Sequence, residues 1–179
     1  MDPFEIIRKY YKEGTEIYDV LVTHSKLVAD KALQIAQKNS EENFDLEFVY
    51  EAAMLHDIGI YMTNAQKIYC KGTFPYICHG YLGSEIVNYE GFPKHALVCE
   101  RHTGTGLSVK DIERLRLPSP HREMLPISKE EQLICYADKF FSKTDLYTEK
   151  SVDRVRASLS RFGEETIARF DCWLEKWGK

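Results

Sequence analysis

The chain has 179 residues, of which 44% are hydrophobic, so it is long enough to form one domain with a complete apolar core. Its formal net charge of −4 argues against a nucleic acid polymer as the main partner, because proteins bind such polyanions mainly through Lys and Arg. A small phosphorylated ligand is compatible with this charge, since it needs only a local group of cations around a pocket.

The sequence predicts neither a membrane protein nor a secreted one. No stretch approaches the roughly 18 apolar residues of a membrane-spanning helix, and the N-terminus has neither the basic start nor the apolar run of a secretory signal. The cysteines show no C-x-x-C spacing and lie mostly among apolar residues: Cys70, Cys78, Cys99, Cys135 and Cys172. We therefore expect reduced, packed thiols in a soluble cytoplasmic protein.

Apolar residues recur mainly three or four positions apart and strand-like alternation is nearly absent, which predicts an all-α fold with short connections. We expect a single helical domain over residues 1–179, with the functional core at about 15–145 and C-terminal helices within 151–177 packed on it. The first predicted helix runs from Glu16 to about Lys38 and carries His24 among its apolar positions.

The second predicted helix contains the most informative pair of residues in the chain. Asp45 is its candidate N-cap, and Gly59 is placed to end it in the left-handed conformation. His56 and Asp57 then fall in its last turn, directly after the apolar residues 52–55. Burying an imidazole and a carboxylate costs several kcal/mol unless they are hydrogen-bonded, ion-paired or bound to a cation.

Residues 61–75 carry an Asn, a Gly and a Pro and predict a loop or a broken helix over the mouth of a site. Two helices follow, at 79–89 and from Pro93 to about 102, where the run Thr-Gly-Thr-Gly stops the second one. His79 and His102 therefore lie at helix boundaries.

A short charged helix is predicted from Ser108 to Arg116. The three prolines within residues 117–127 then predict an irregular excursion, which contains His121 and Arg122 and is a candidate lid. We expect this excursion to shape the pocket together with the loop at 61–75.

A capping box at residues 128–131 opens the next predicted helix, which runs through Phe140 and carries Asp138 in its middle. Two more helices are predicted, at 151–160 and 164–177. The last one carries a stripe of Trp173 and Trp177, for which core packing or a homodimer contact is favoured over a base-stacking platform.

Four residues on apolar faces of three predicted helices form a candidate metal site: His24, His56, Asp57 and Asp138. Two imidazoles and two carboxylates without a thiolate suit an octahedral divalent ion better than a structural zinc. Iron or manganese is favoured, with nickel, cobalt, magnesium and zinc as alternatives.

The order His, His-Asp, Asp, with His56 to Gly59 reading HDIG, resembles the HD superfamily of metal-dependent phosphohydrolases. His79 and His102 lie between the His-Asp pair and Asp138, as in the branch of that superfamily that binds two ions. Within this branch, the short sequence motifs around these residues are most similar to those of the HD-type symmetrical diadenosine tetraphosphate hydrolases.

The resemblance implies an HD-domain helical bundle that cleaves a phosphoester or phosphoanhydride of a nucleotide or other small phosphorylated metabolite, such as a dinucleoside polyphosphate. It also implies which residues hold the metals: His24, His56 and Asp138 the first ion, His79 and His102 the second, with Asp57 bridging both. Asp57 and His56 are the implied catalytic residues.

Many HDIG proteins have Lys directly after the Gly, whereas Ile60 stands here, so phosphate contacts must come from elsewhere. Near the ligands in sequence, the candidates are Arg101, Lys139 and Lys143, followed by Lys26, His121 and Arg122. For the lysines four apart on a helix, a solvated face is the competing interpretation. His95 is more consistent with a surface or supporting role than with a ligand. A non-catalytic nucleotide-sensing or interaction module is the rival to an enzyme.

Overall fold

The computed structural model describes residues 1–178 and confirms the all-α prediction. Within these residues nine α-helices form the fold: α1 (Pro3–Tyr10), α2 (Glu16–Lys38), α3 (Leu46–Leu55), α4 (His79–Tyr89), α5 (Pro93–Arg101), α6 (Val109–Leu115), α7 (Lys129–Asp138), α8 (Val152–Leu159) and α9 (Glu164–Trp177). Two short antiparallel strands, β1 (Asn64–Ala65) and β2 (Cys70–Lys71), pair with Asn64 opposite Lys71. None of the helices in this part of the chain is long and apolar enough to span a membrane.

Helix starts follow the predicted caps. The Asp45 side chain accepts a hydrogen bond from the Phe48 backbone at 3.0 Å, and reciprocal capping boxes open α6 at Ser108 and α7 at Ser128. Each cap satisfies backbone donors that the first turn of a helix leaves free. These local interactions explain why the helix starts could be predicted from the sequence.

The core lies where α2 crosses α3 and α7, with α5 packed on α3 and α7 and α4 packed on α5. At the other end of the chain, α9 packs on α7 and α8, and its Phe170, Trp173 and Trp177 are buried. Tyr136 of α7 contacts two of these rings, at centroid distances of 5.3 Å from Phe170 and 5.9 Å from Trp177. The Trp stripe is therefore part of the core.

The end of α3 differs from the prediction. The helix stops at Leu55, His56 is its C-cap, and a 3-10 helix at Ile58–Met62 follows Asp57. Gly59 is not among the left-handed glycines. It is required for packing, because a Cβ atom there would lie 2.3 Å from the carbonyl oxygen of His79.

Four further features depart from the sequence-based expectations. The helix predicted through Phe140 ends at Asp138, so this ligand candidate terminates α7 instead of projecting from its middle. The segment at 61–75 contains β1, β2 and 3-10 turns, and α1 was not predicted. Four cysteines are buried as predicted, whereas Cys172 is exposed, and all five are free thiols.

Candidate metal centre

The structure brings six histidine and aspartate side chains from different elements into one buried cluster. They form two groups, in each of which the potential ligand atoms all lie within 4.8 Å of one another. The first group is His24, His56, Asp57 and Asp138, and the second is Asp57, His79 and His102. Asp57 belongs to both groups.

The two carboxylate oxygens of Asp57 face different groups. Oδ2 lies 3.1 Å from Nε2 of His24 and 2.9 Å from Nε2 of His56. Oδ1 lies 3.3 Å from Nε2 of His79 and 3.4 Å from Nε2 of His102. One side chain is thus placed to bridge two cations.

Backbone carbonyl oxygens orient three of the histidine rings. Each ring donates its Nδ1 proton to the residue three positions before it: His56 to Ala53 at 2.6 Å, His79 to Tyr76 at 2.6 Å and His102 to Cys99 at 2.7 Å. Carbonyl oxygens only accept, so Nδ1 of each ring carries a proton, and Nε2 offers a lone pair when the ring is neutral. His56 and His102 can do this because they follow the last turns of α3 and α5. Burial lowers the pKa of His56, but the carboxylates of Asp57 and Asp138 outweigh burial and raise it to about 9, so this ring gives up its Nε2 proton when a cation binds.

The pair His79 and His102 shows that a cation fits the second group. Their Nε2 atoms lie 3.0 Å apart, yet neither neutral ring has a proton to place between them. Burial lowers the pKa of His79 to about 3 and also lowers the pKa of His102, so protonation does not relieve the contact near neutral pH. A positive ion facing both lone pairs would relieve it.

Buried polar atoms without hydrogen-bond partners indicate that a cation also fits the first group. Within residues 1–178, neither oxygen of Asp57, nor Nδ1 of His24, nor Nε2 of His56 has a hydrogen-bond partner of normal geometry, although all are buried. Metal–ligand bonds of about 2.0–2.2 Å place neighbouring ligand atoms about 3 Å apart, which agrees with the separations here. The residues of both groups therefore fit divalent ions.

The carboxylates are held in the ionised form that metal ligands require. Burial alone would raise the pKa of Asp57, but His56 and Lys143 hold it well below its usual range. For Asp138 the opposing influences are burial and the charge of Lys139, and its pKa is also held well below the usual range. Both acids are anionic throughout the physiological pH range.

Lys139 is buried and the Lys143 side chain is only 10% exposed, so a solvated helix face is excluded for both. Lys139 Nζ lies 2.7 Å from Asp138 Oδ2 and donates to the carbonyl oxygen of His102 at 2.9 Å. Lys143 comes from the turn after α7, and its Nζ lies 2.5 Å from Asp57 Oδ2. Both side chains neutralise ligand carboxylates.

The remaining cationic candidates lie elsewhere. Arg101 pairs with Glu131 at 2.9 Å, where it fastens α5 to α7. Lys26 lies over the ring of Phe4. The excursion at 117–127 does not line the cavity, because its His121 and Arg122 bind Glu113 and Glu100.

His95 has a supporting role in the structure, which agrees with the prediction that it is not a metal ligand. Its Nε2 lies 3.0 Å from Glu51 Oε2, and its ring packs edge-on against Phe48 and Phe92 at centroid distances of 4.8 and 5.7 Å. The residue belongs to neither ligand group.

A cavity of about 330 Å³ opens beside the two groups, close to the lower end of the usual size for ligand pockets. Metal-ligand candidates lining it are His79, His102 and Asp138, and the cations are Lys67, Lys139, Lys143, Lys150 and Arg161. Asp138 is the one carboxylate lining it among the described residues. Its apolar walls include Ile68, Tyr76, Ile77, Phe141, Leu159 and Phe162.

Three of these cations were not predicted: Lys67, Lys150 and Arg161. They reach the cavity through the segments at 65–77 and 158–162 and the turn before α8, whose positions depend on tertiary packing. No local pattern distinguishes them from surface cations. The expectation that the loop after the His-Asp pair borders the pocket is confirmed.

Comparison with known proteins gives the family. A model described as HD domain matches residues 21–142, which contain all six residues of the two groups. An uncharacterized protein of Methanocaldococcus jannaschii is 35% identical over 69% of this chain and 68% of its own length. No solved structure matches the chain.

Two relatives are named tRNA (cytidine(56)-2'-O)-methyltransferase. The protein of Thermoplasma volcanium is 30% identical over 92% of this chain, and that of Picrophilus torridus is 28% identical over 69%. The chain spans only 44% and 32% of their respective lengths. Family model, motif order and converging side chains agree: this chain belongs to the HD domain family, in the superfamily of metal-dependent phosphohydrolases.

Proposed function

We propose that the protein is a metal-dependent phosphohydrolase that cleaves a phosphoester or phosphoanhydride bond in a nucleotide or another small phosphorylated metabolite. The observation that carries the proposal is the position of Asp57. Its two oxygens face two separate histidine groups, and both groups border a cavity whose charged walls are almost entirely cationic.

In this proposal His24, His56, Asp57 and Asp138 hold one divalent ion, and Asp57, His79 and His102 hold a second. When bound, such ions supply the Lewis acidity that lowers the pKa of water from about 15.7 toward about 7 and polarises a phosphoryl oxygen. Iron or manganese is the proposed metal, since the ligands are imidazole nitrogens and carboxylate oxygens without sulfur.

The chain's own residues have two further tasks. Asp57 stays anionic and keeps the two groups in a fixed relation, while His56, His79 and His102 keep their Nε2 lone pairs inward through bonds to the backbone. The lysines at the cavity wall face the negative charge that develops on a transferred phosphoryl group. The apolar walls exclude water and contact the uncharged part of the substrate.

The charge of the cavity favours a strongly anionic substrate. Five cations against one carboxylate suit a ligand with at least one phosphate group, and a dinucleoside polyphosphate is included among the candidates. Methyl transfer is not proposed for this chain, because it covers less than half of the methyltransferases it resembles and its site consists of metal ligands. An RNA polymer is not proposed as substrate for a chain of net charge −4.

The test combines metal analysis with turnover. Protein purified without chelator is analysed for bound elements and then incubated with nucleoside monophosphates, nucleoside triphosphates and dinucleoside polyphosphates while product is followed by chromatography. Bound metal with turnover supports the enzyme. Bound metal and ligand binding without any product would instead support the sensing module, and protein without metal affinity would refute both.

A further inference from the structure

Lys143 contacts the one residue that both ligand groups share. Its Nζ lies 2.5 Å from Asp57 Oδ2, the oxygen that also faces Nε2 of His24 and of His56 at 3.1 and 2.9 Å. Asp57 is fully buried, and the Lys143 side chain is 10% exposed. The ammonium group therefore lies at the first ligand group, on the side of the cavity that its own side chain lines.

The contact is a charge pair without the geometry of a hydrogen bond. Within residues 1–178, Asp57 Oδ2 has no hydrogen-bond partner of normal geometry, so the ammonium group is close but not aligned. Lys143 lies in the turn that follows α7, and its Nζ is 5.9 Å from the centre of the Tyr76 ring. Its positive charge offsets the cost of burying a carboxylate.

A divalent ion and this ammonium group compete for the same oxygen. Two cations on one carboxylate oxygen repel each other strongly at the low effective dielectric constant of a buried site, so the ammonium group leaves Asp57 Oδ2 when the ion binds. The cavity gives the lysine somewhere to go. Its flexible four-carbon stem can turn the ammonium group away from Asp57 while the group stays within the cavity.

Lys139 makes the contrast clear. It pairs with Asp138 Oδ2, whereas Oδ1 of that residue faces the histidines, and it also donates to the carbonyl oxygen of His102. Lys139 can therefore keep both partners when a cation binds. Within residues 1–178, Lys143 forms an ion pair with Asp57 Oδ2 alone, which is the oxygen that a cation in the first group needs.

We infer that Lys143 is an exchangeable counter-ion, which pairs with Asp57 in the metal-free protein and transfers to an anionic oxygen of the substrate once a divalent ion binds the first ligand group. The inference rests on the proposed function for its second half only. Many HDIG proteins have a lysine where this chain has the uncharged Ile60. The inference assigns the phosphate contact to Lys143 instead.

The inference predicts opposite changes in two affinities, which loss of packing would not produce. In calorimetric titrations of metal-free protein, Lys143→Met should bind Mn²⁺ on the order of tenfold more tightly than the wild type, because the competing charge is gone. The metal-loaded variant should bind inorganic phosphate about tenfold more weakly, because a charged hydrogen-bond donor is lost.

Three further variants control the result. Lys143→Arg keeps the charge and should leave the Mn²⁺ affinity near that of the wild type. Lys67→Met removes an exposed cation from the same cavity wall and should also leave it unchanged. Lys143→Gln keeps a polar group beside Asp57, so it tests the prediction if Lys143→Met does not fold, and it should also tighten Mn²⁺ binding.

Unchanged or weaker Mn²⁺ binding by folded Lys143→Met or Lys143→Gln would overturn the counter-ion role while leaving the proposed hydrolase intact. Unchanged phosphate binding by these variants would overturn the transfer to substrate. Failure of the wild type to bind Mn²⁺, iron or any other divalent ion would overturn the inference and the proposed function together.

Discussion

The rings of His79 and His102 meet Nε2 to Nε2 at 3.0 Å, although each already donates its Nδ1 proton to a backbone carbonyl oxygen. These two residues are 23 positions apart, one at the start of α4 and one just after α5. Gly80 allows the approach of the two helices, because a Cβ atom there would lie 2.8 Å from the Cys99 carbonyl oxygen. The packing of α4 against α5 thus holds the Nε2 lone pairs of His79 and His102 facing each other.

The first prediction concerns this pair. His79→Gln and His102→Gln should each lose one of the two bound ions, while His24→Gln should lose the other. Elemental analysis after dialysis measures the stoichiometry. His121→Gln, at an exposed histidine that pairs with Glu113, should keep both ions. Two ions retained by either variant of the facing pair would contradict the assignment of the second site.

Asp57→Ala should remove both ions and reduce turnover to the background rate, because the bridging carboxylate is lost from both groups. The helical fold should survive, which far-ultraviolet circular dichroism measures. Asp153→Ala, at a side chain that is 96% exposed, is the matched control and should behave as the wild type. Turnover by metal-free Asp57→Ala protein would refute the mechanism.

Gly59→Ala should destabilise the protein by about 1–3 kcal/mol, since a Cβ atom there would overlap the backbone of His79 and Gly83. Urea unfolding measures the change. Gly14→Asn, in open space at a left-handed position that Asn tolerates, should cost much less. Because the clash displaces the start of α4, Gly59→Ala should also weaken metal binding, and equal stability of the two variants would argue against the packing role.

His95 predicts a pH dependence of stability. Burial lowers the pKa of His95 below its ordinary value of 6.5 despite the opposing effect of Glu51, so the unfolded chain binds more protons than the folded one between the two pKa values. The stabilising contribution is therefore complete above about pH 6.5 and is lost as the pH falls below that value.

The measurement is urea unfolding of chelator-treated protein at pH 7.5 and 5.5. His95→Gln should lose less free energy of unfolding across this interval than the wild type. Every other histidine is the same in the two proteins, so its contribution cancels in the comparison. An identical pH dependence of His95→Gln and wild type would contradict the assignment.

Local signals explain which parts of the fold and site could be predicted. The caps at Asp45, Ser108 and Ser128 act within four residues, and their helices start where the sequence indicates. The order of His24, His56-Asp57 and Asp138 likewise carries a family pattern. Such features need no knowledge of tertiary structure.

The remaining features depend on contacts between distant segments. Lys143 was a candidate from its proximity to Asp138, but its contact with Asp57 joins residues from opposite sides of the core. Arg101 is equally close in sequence to a ligand, yet it turns to Glu131. From the sequence, Gly59 could serve either a left-handed turn or close packing. The position of α4 shows that close packing requires this glycine.

The three carbonyl oxygens that orient the histidines belong to Ala53, Tyr76 and Cys99, and each acts through its main chain. The directions of the His56 and His102 rings therefore do not depend on the side chains of Ala53 and Cys99, as long as the ends of α3 and α5 stay in place. The Tyr76 side chain differs, because its ring stacks on His79 at a centroid distance of 4.6 Å. Replacement of Ala53 or Cys99 by residues of similar volume would leave the inward lone pairs undisturbed. The side chains at these two positions can therefore vary while the arrangement of the histidine rings stays the same.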